Sequence, residues 1–337
     1  KRITNKIPKP LAYAIVLFLI VVLTFVIEFF GFNFKSIRYG LKDTTFTNFT
    51  VKNNSIEVKL KKTTYIGKVQ IYGLSEENKI IHYSFEVTTV SSYGKENKKG
   101  YNDILYPELK TGVTSVGEYG NKIKIDVPKE YVDCIKAVKI KNSFTPNKYR
   151  MCFIFSVLVM LAMIILCKDI LRKRIELFFV VSGFLIGVSL IYSTGATPFT
   201  WDEETHFKRA YQMSIYPGGE KISTEISGQF TTDTLYNYPY FQPQSYEEKQ
   251  NLNGIINNYY KNGDHAVTVK GELCGVYTVG LVPQAIAIKI VRCIGMPFTY
   301  IFLAGRFAEL MTYIIVMFFA IRIIPIGKRA LTFISLT

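Results

Sequence analysis

The amino-acid sequence predicts a mainly α-helical, polytopic membrane protein with an extracytoplasmic β-sandwich inserted between its first two spans. Three observations predict it. The composition is 49% hydrophobic and 15% aromatic, and the apolar residues are gathered into membrane-length runs rather than spread at helical or strand period. Lys and Arg flank those runs, as they do where membrane helices are oriented by charge. Between the first two runs lies a long stretch of short alternating segments separated by Gly, Asn, Pro and Ser, which is strand-and-turn chemistry.

Residues 1–33 are read as an N-terminal anchor. Leu11 to Phe32 hold one charge, Glu28, and at about 1.5 Å per residue the run spans a hydrocarbon core of about 30 Å. Lys1, Arg2, Lys6 and Lys9 precede it and no small-residue cleavage site follows, so it is expected to enter from the cytoplasm and be retained. Residues 34–148 are assigned to the sandwich, because Ser55–Leu60, Tyr65–Leu74, Lys79–Thr89, Asn121–Val127 and Cys134–Lys141 alternate apolar with polar residues. Such sandwiches often bind carbohydrate; a spacer or docking role is the alternative.

Residues 149–174 hold the second span and a turn containing Lys168, Asp169, Arg172, Lys173 and Arg174. A turn that basic belongs on the cytoplasmic side. The third run, 175 to 192, then leads outward, and the large loop 194–272 is external. Residues 273–295 are long enough to cross, but Gly275, Gly280, Pro283, Gln284, Lys289 and Arg292 interrupt them. If they crossed, Lys328 and Arg329, which follow the span at 298–324, would end outside. A juxtamembrane or re-entrant helix is therefore the reading. The chain begins with Lys, and an apolar stretch starts at Ala330, so it is expected to be part of a longer protein.

The net charge of +15 would suggest nucleic acid in a soluble protein. Here the basic residues flank apolar runs and decorate the sandwich, no nucleic-acid motif is present, and nucleic acid is excluded as a partner. The five cysteines show no metal-ligand spacing. Four lie in or beside apolar runs and Cys134 has no partner in the sandwich, so a disulfide framework is not expected.

The densest group of ionisable residues beside a membrane-length run is Thr197 to Tyr211. Pro198 can stop the preceding helix and Thr200 can cap a new one, with Glu203 completing a capping-box pattern. Asp202, His206 and Arg209 fall at i, i+4 and i+7 on one face of that helix, with Glu203 beside them. Such a group can react or bind ions; a charged amphipathic helix lying at the interface is the alternative. Asp202 and His206 could also share a divalent cation, since Asp-Glu-x-x-His reads as a zinc-peptidase helix with its first His replaced, but no third ligand accompanies them. No cofactor is implied with certainty. His82 and His265 read as structural or solvated. Arg306 sits inside an apolar helix with Glu309 one turn on, either as a functional cation or as a self-satisfied i, i+3 pair. Tyr238 and Tyr240, in an aromatic stretch from Tyr236 to Tyr246, could stack on sugar rings or anchor at the interface.

Pro198 through Tyr211, with Leu281-Val-Pro-Gln-Ala-Ile-Ala-Ile and Leu303-Ala-Gly-Arg-Phe-Ala-Glu-Leu, resemble the membrane-protein family called domain of unknown function 2142 (DUF2142). That family has Pro-Asp-Glu-x-x-His-x-x-Arg-Ala after a transmembrane helix and Leu-Pro-Gln-Ala before a Gly-Arg-Leu helix. Trp201 departs from the family's Pro. The resemblance covers about residues 175 to 330. The family is in turn similar to GT-C glycosyltransferases, whose first external loop carries an acidic pair, so residues 175–337 are expected to begin a GT-C-like helical core. The resemblance implies transfer of a sugar from a polyprenyl-phosphate-linked donor to an envelope glycan or polymer acceptor on the outer face of the cell membrane. Asp202 would be the base and Glu203 would orient the acceptor or share that role. His206 would bond within the acidic cluster or to the acceptor, Lys208 and Arg209 would hold phosphate, and Arg306 would meet the lipid phosphate. The alternative is a non-catalytic membrane protein that binds a lipid-linked glycan or envelope polymer as scaffold, sensor or transport partner.

Overall fold

A computed structural model describes residues 9–52, 55–73, 81–90, 94–105, 109, 111–195, 201–215, 245–262 and 276–336. Two compact units divide the chain: a helical unit of Lys1–Phe32, Pro146–Gln242 and Asn253–Thr337, and a sheet unit of Asn33–Thr145 with Pro243–Leu252.

Helix α1 (Lys9–Val26) runs into a π-helical turn at Ile27–Phe32, and α2 (Phe34–Arg38) opens the sheet unit. The chain returns to the helical unit with α3 (Lys148–Leu166), α4 (Lys168–Lys173) and α5 (Ile175–Thr194). Then follow α6 (Trp201–Ile215), α7 (Tyr246–Asn262), α8 (Val282–Cys293), α9 (Phe298–Ile323) and α10 (Lys328–Leu336). Among the described residues, four segments are long and apolar enough to cross a membrane: Leu11–Phe32, Lys148–Leu166, Ile175–Thr194 and Phe298–Ile323. They coincide with the apolar runs of the sequence. At 12 residues, or about 18 Å of helix, α8 is shorter than a hydrocarbon core.

Glu28 is fully buried in the π-turn and receives a two-pronged ion pair from Arg150, with Nε to Oε2 and Nη2 to Oε1 both 2.7 Å. The backbone N–H of Asn147 donates to the same carboxylate at 2.9 Å. Asn147 in turn caps α3 by accepting from the N–H groups of Tyr149 and Arg150. A charge placed in an apolar run needs such partners, and these fasten the point where the chain leaves the helical unit to the point where it returns. Ser156 and Ser189 share a 2.9 Å hydrogen bond between α3 and α5. Between α5 and α9 the contact is so close that a Cβ at Gly187 would strike Leu310.

The sheet unit holds β1 (Thr44–Phe46), β2 (Thr50–Lys52), β3 (Ser55–Tyr72), β4 (Ile81–Val90), β5 (Glu96–Leu105), β6 (Thr111–Asp126) and β7 (Ala137–Lys141). They form one antiparallel sheet in the order β1-β7-β3-β6-β4-β5, with β2 also on β3. Ser84 pairs with Asp126, yet the neighbouring Tyr83 hydroxyl lies 2.5 Å from Thr114 Oγ1. On a straight strand Thr114 and Asp126 would stand about 40 Å apart. Strand β6 therefore bends, and it does so at Gly120, where its register with β3 shifts between Lys59 and Thr64 and a Cβ would meet Val87. The expected sandwich is thus one sheet folded into two layers. Ile56, Ile66, Ile71, Phe85, Ile123, Ile125 and Val138 fill the single core between them. The run Ser55–Leu60 and the following run, as far as Tyr72, are one long strand, and β5, with Lys98, Lys99 and Gly100 exposed on the sheet edge, has no alternation by which to recognise it.

The first turns of α7 belong to this unit. Ser245 and Glu248 form a reciprocal capping box, each backbone N–H donating to the other's side chain at 3.1 Å. Glu248 also accepts from the N–H of Val113 at 2.9 Å, and Asn251 Nδ2 donates to the carbonyl of Leu109. Glu247 is clamped between Lys68 at 2.7 Å and Lys141 at 3.0 Å. The two adjacent carboxyls are driven apart: burial pushes Glu248 up, aided by Asp103 and only partly offset by its backbone donors, while at Glu247 burial is outweighed by the two lysines and the pKa falls.

Asp43 holds the β7 end of the sheet, accepting from the backbone N–H groups of Asn142 and Ser143 at 2.9 and 2.8 Å and pairing with Lys139 at 2.9 Å. Burial opposes its ionisation, but those donors and Lys139 prevail and lower its pKa from 3.8 to about 2. A depressed carboxyl adds stability above its unfolded pKa and loses it as the pH falls through the folded one. Thermal unfolding followed by circular dichroism should therefore show stability declining from about pH 4 toward pH 2. Asp43→Asn should flatten that decline, and an unaltered profile would contradict the assignment.

Candidate functional site

A cavity of about 540 Å³ opens in the helical unit among α5, α6, α8 and α9. Helix α5 contributes Gly187, Leu190 and Ile191, α6 contributes Glu203, His206 and Phe207, and α8 contributes Gln284. Phe302, Gly305, Arg306, Glu309, Leu310 and Tyr313 complete it from α9. Their spacing of three, four and seven residues puts them on one face of that helix. The lining therefore mixes apolar side chains with a polar part of two carboxylates, an imidazole and a guanidinium.

Arg306 organises the polar part. Its Nε and Nη2 reach the two oxygens of Glu203 at 2.5 and 2.9 Å, and Nη1 donates to the carbonyl of Gly195 at 2.6 Å. The guanidinium carbon also lies 4.8 Å from the centre of the Phe302 ring. The Arg306 side chain is only 11% exposed. Gly195, the C-cap of α5, has φ 77° and ψ −161°, a conformation open essentially only to glycine. The backbone there thus turns its carbonyl onto Arg306. Glu309 accepts from Gln284 Nε2, so in place of the alternative of a self-satisfied Arg306–Glu309 pair, the two residues make contacts that join α9 to α6 and to α8.

Helix α6 is seated by Phe207, whose ring lies 4.6 Å from Phe302 and 6.0 Å from Phe298, and by the buried Ala210 one turn further on. Near its C-terminus, Arg292 of α8 donates to Ser214 Oγ at 3.1 Å and stacks over Tyr211 at 4.5 Å. Burial raises the Tyr211 phenol, and Arg292 acts against it.

Of the residues singled out in the sequence, Glu203, His206 and Arg306 meet at this cavity. Arg209 is exposed on α6 and does not line it. Asp202 and Lys208 lie on α6, but their side chains, like Tyr238, Tyr240 and the cap expected at Thr200, fall outside the described residues. Sequence reasoning omitted Gln284 and Phe207 from the site and gave Glu309 only an intrahelical role. Gln284 had a signal, as the polar residue of the Leu-Val-Pro-Gln-Ala segment. Among the described residues no three His, Cys, Asp or Glu side chains are grouped to hold a metal ion.

The three segments that surround the cavity are those on which the family resemblance rests. Residues 184–337 match the model of a predicted membrane protein family, DUF2142. No curated protein matches the chain. The DUF2142 match contains α6, α8, α9 and most of α5, and hence every residue lining the cavity. Residues 33–145, the body of the sheet unit, precede it.

If Phe207 seats α6, Phe207→Ala should cost about 3 kcal/mol of local stability. Hydrogen exchange should then quicken at backbone amides of residues 203–211 while those of α3 stay protected. Unchanged exchange across α6 would refute this seating.

Proposed function

We propose that this protein is a membrane glycosyltransferase with a GT-C-like core. It transfers a sugar from a polyprenyl-phosphate-linked donor to an envelope glycan or polymer acceptor on the outer face of the cell membrane. The observation that carries the reading is the convergence of the three family segments on one cavity whose lining combines apolar residues with carboxylates and a cation. Leu190, Ile191, Phe302 and Leu310 offer a surface for isoprenoid, and the polar residues face a headgroup.

Displacement at an anomeric carbon with a phosphate leaving group needs no general acid, because phosphate departs readily as an anion. It needs a carboxylate at the attacking hydroxyl and positive charge near the phosphate. Asp202, adjacent to Glu203 on α6, takes the role of base; Glu203 and His206 orient the acceptor; and Lys208, Arg209 and Arg306 serve the phosphate. A single displacement inverts the anomeric centre. The basic turn at 168–174 supports an orientation with residues 34–148 and 194–272 outside.

One observation favours a second, non-catalytic reading, in which the protein binds a lipid-linked glycan without transforming it. Arg306 is already engaged by Glu203. Asp202→Asn separates the two readings. Transfer of labelled sugar from a polyprenyl-phosphate donor should fall at least about a hundredfold while donor binding persists; undiminished transfer would remove Asp202 as the base, and absence of transfer by the unaltered protein would favour the binder.

A further inference from the structure

Two of the three N–H-bearing corners of the Arg306 guanidinium are taken by Glu203 and the third by the carbonyl of Gly195. A carboxylate and a phosphate present the same fork of two oxygens to an arginine. A phosphate reaching the polar part of the cavity therefore meets a guanidinium whose preferred face is occupied by an internal anion of matching shape. We propose that the Glu203–Arg306 pair is an exchangeable latch. A prenyl phosphate headgroup displaces Glu203 from Arg306, and the released carboxylate turns toward the cavity, beside His206 on the same helix, to meet the acceptor hydroxyl.

The exchange is physically economical. A guanidinium in an apolar helix is costly without a counter-charge, and here one anion replaces another, so Arg306 is compensated throughout. Glu203 moves to a region that already holds polar groups, His206 and Gln284. Leu190, Ile191 and Leu310 line the same cavity, which suits a phosphate that arrives on a hydrocarbon chain. The latch would make donor arrival the event that supplies the carboxylate. It rests on the donor reading above and adds to it an order of events.

The full-length protein in nanodiscs is titrated with farnesyl phosphate, with farnesol and inorganic phosphate in parallel. Binding is read from the fluorescence change that the Trp201→Phe variant lacks, Trp201 being the one tryptophan of these 337 residues and lying two residues before Glu203 on α6. Glu203→Gln should bind farnesyl phosphate roughly tenfold more tightly than the unaltered protein, although its sugar transfer falls. Arg306→Gln should lose the binding. Glu203→Asp, whose shorter carboxylate holds Arg306 less well, should shift affinity the same way and decides the matter should Glu203→Gln not fold. Unaltered protein that binds, with equal or weaker binding in both Glu203 variants, overturns the latch and leaves the donor reading intact. Absence of farnesyl phosphate binding in every variant overturns both. Farnesol binding as well as farnesyl phosphate also overturns the latch, whereas inorganic phosphate showing the same gain supports it with soluble phosphate as the ligand.

Discussion

A charged side chain in an apolar helix cannot be left to the lipid, and the helical unit is arranged around that constraint. Arg306 stands in a span of 26 residues, and the cost of its charge is met by drawing Glu203 from α6 and the Gly195 carbonyl from the end of α5. The consecutive helices α5 and α6 are thereby drawn to α9, more than 100 residues further along the chain. Glu28 follows the same rule, held by Arg150 and Asn147 where the chain leaves for the sheet unit and comes back. Breaking such a pair strands the partner in a poor solvent, so these contacts specify which helices meet.

Packing then fixes the space around the charges. Gly187 lets α5 approach Leu310 on α9, and Phe207 fills the angle between α6 and α9. The cavity lies beside that contact, lined by apolar residues of α5, α6 and α9 and by polar ones of α6, α8 and α9. A site built this way has Arg306 and Glu203 oriented in advance by their mutual pairing, the condition under which electrostatic interactions are strongest. The sheet unit uses its charges differently. There Glu247, Glu248 and Asp43 tie loops and helix ends to strands, and their pKa values move with the balance of burial against donors.

What the sequence made legible was what depends on local pattern. The four membrane-length helices follow from composition, and the core strands β3, β4 and β7 follow from alternation. The edge strand β5 was hidden because Glu96 to Gly100 are all exposed and leave no alternation in the pattern. The box formed by Ser245 and Glu248 has a plain local signature, Ser-Tyr-Glu-Glu, but its tie to Val113 on a strand is a long-range contact. The same distinction applies at the site. Chemistry by residue type pointed to Glu203, His206 and Arg306. The pairing of Arg306 with Glu203 rather than Glu309, and of Glu309 with Gln284, is decided by helix packing across about 100 and 25 residues of chain, which periodicity cannot express.

The central claim is that Glu203 and Arg306 are one interacting unit on which the site is built. A double-mutant cycle with Glu203→Gln, Arg306→Gln and the pair together, read as unfolding free energy in detergent, tests it most directly. The account predicts a coupling of about 2 kcal/mol, the double variant being far less impaired than the sum of the single ones. Additivity to within about 0.5 kcal/mol would contradict it.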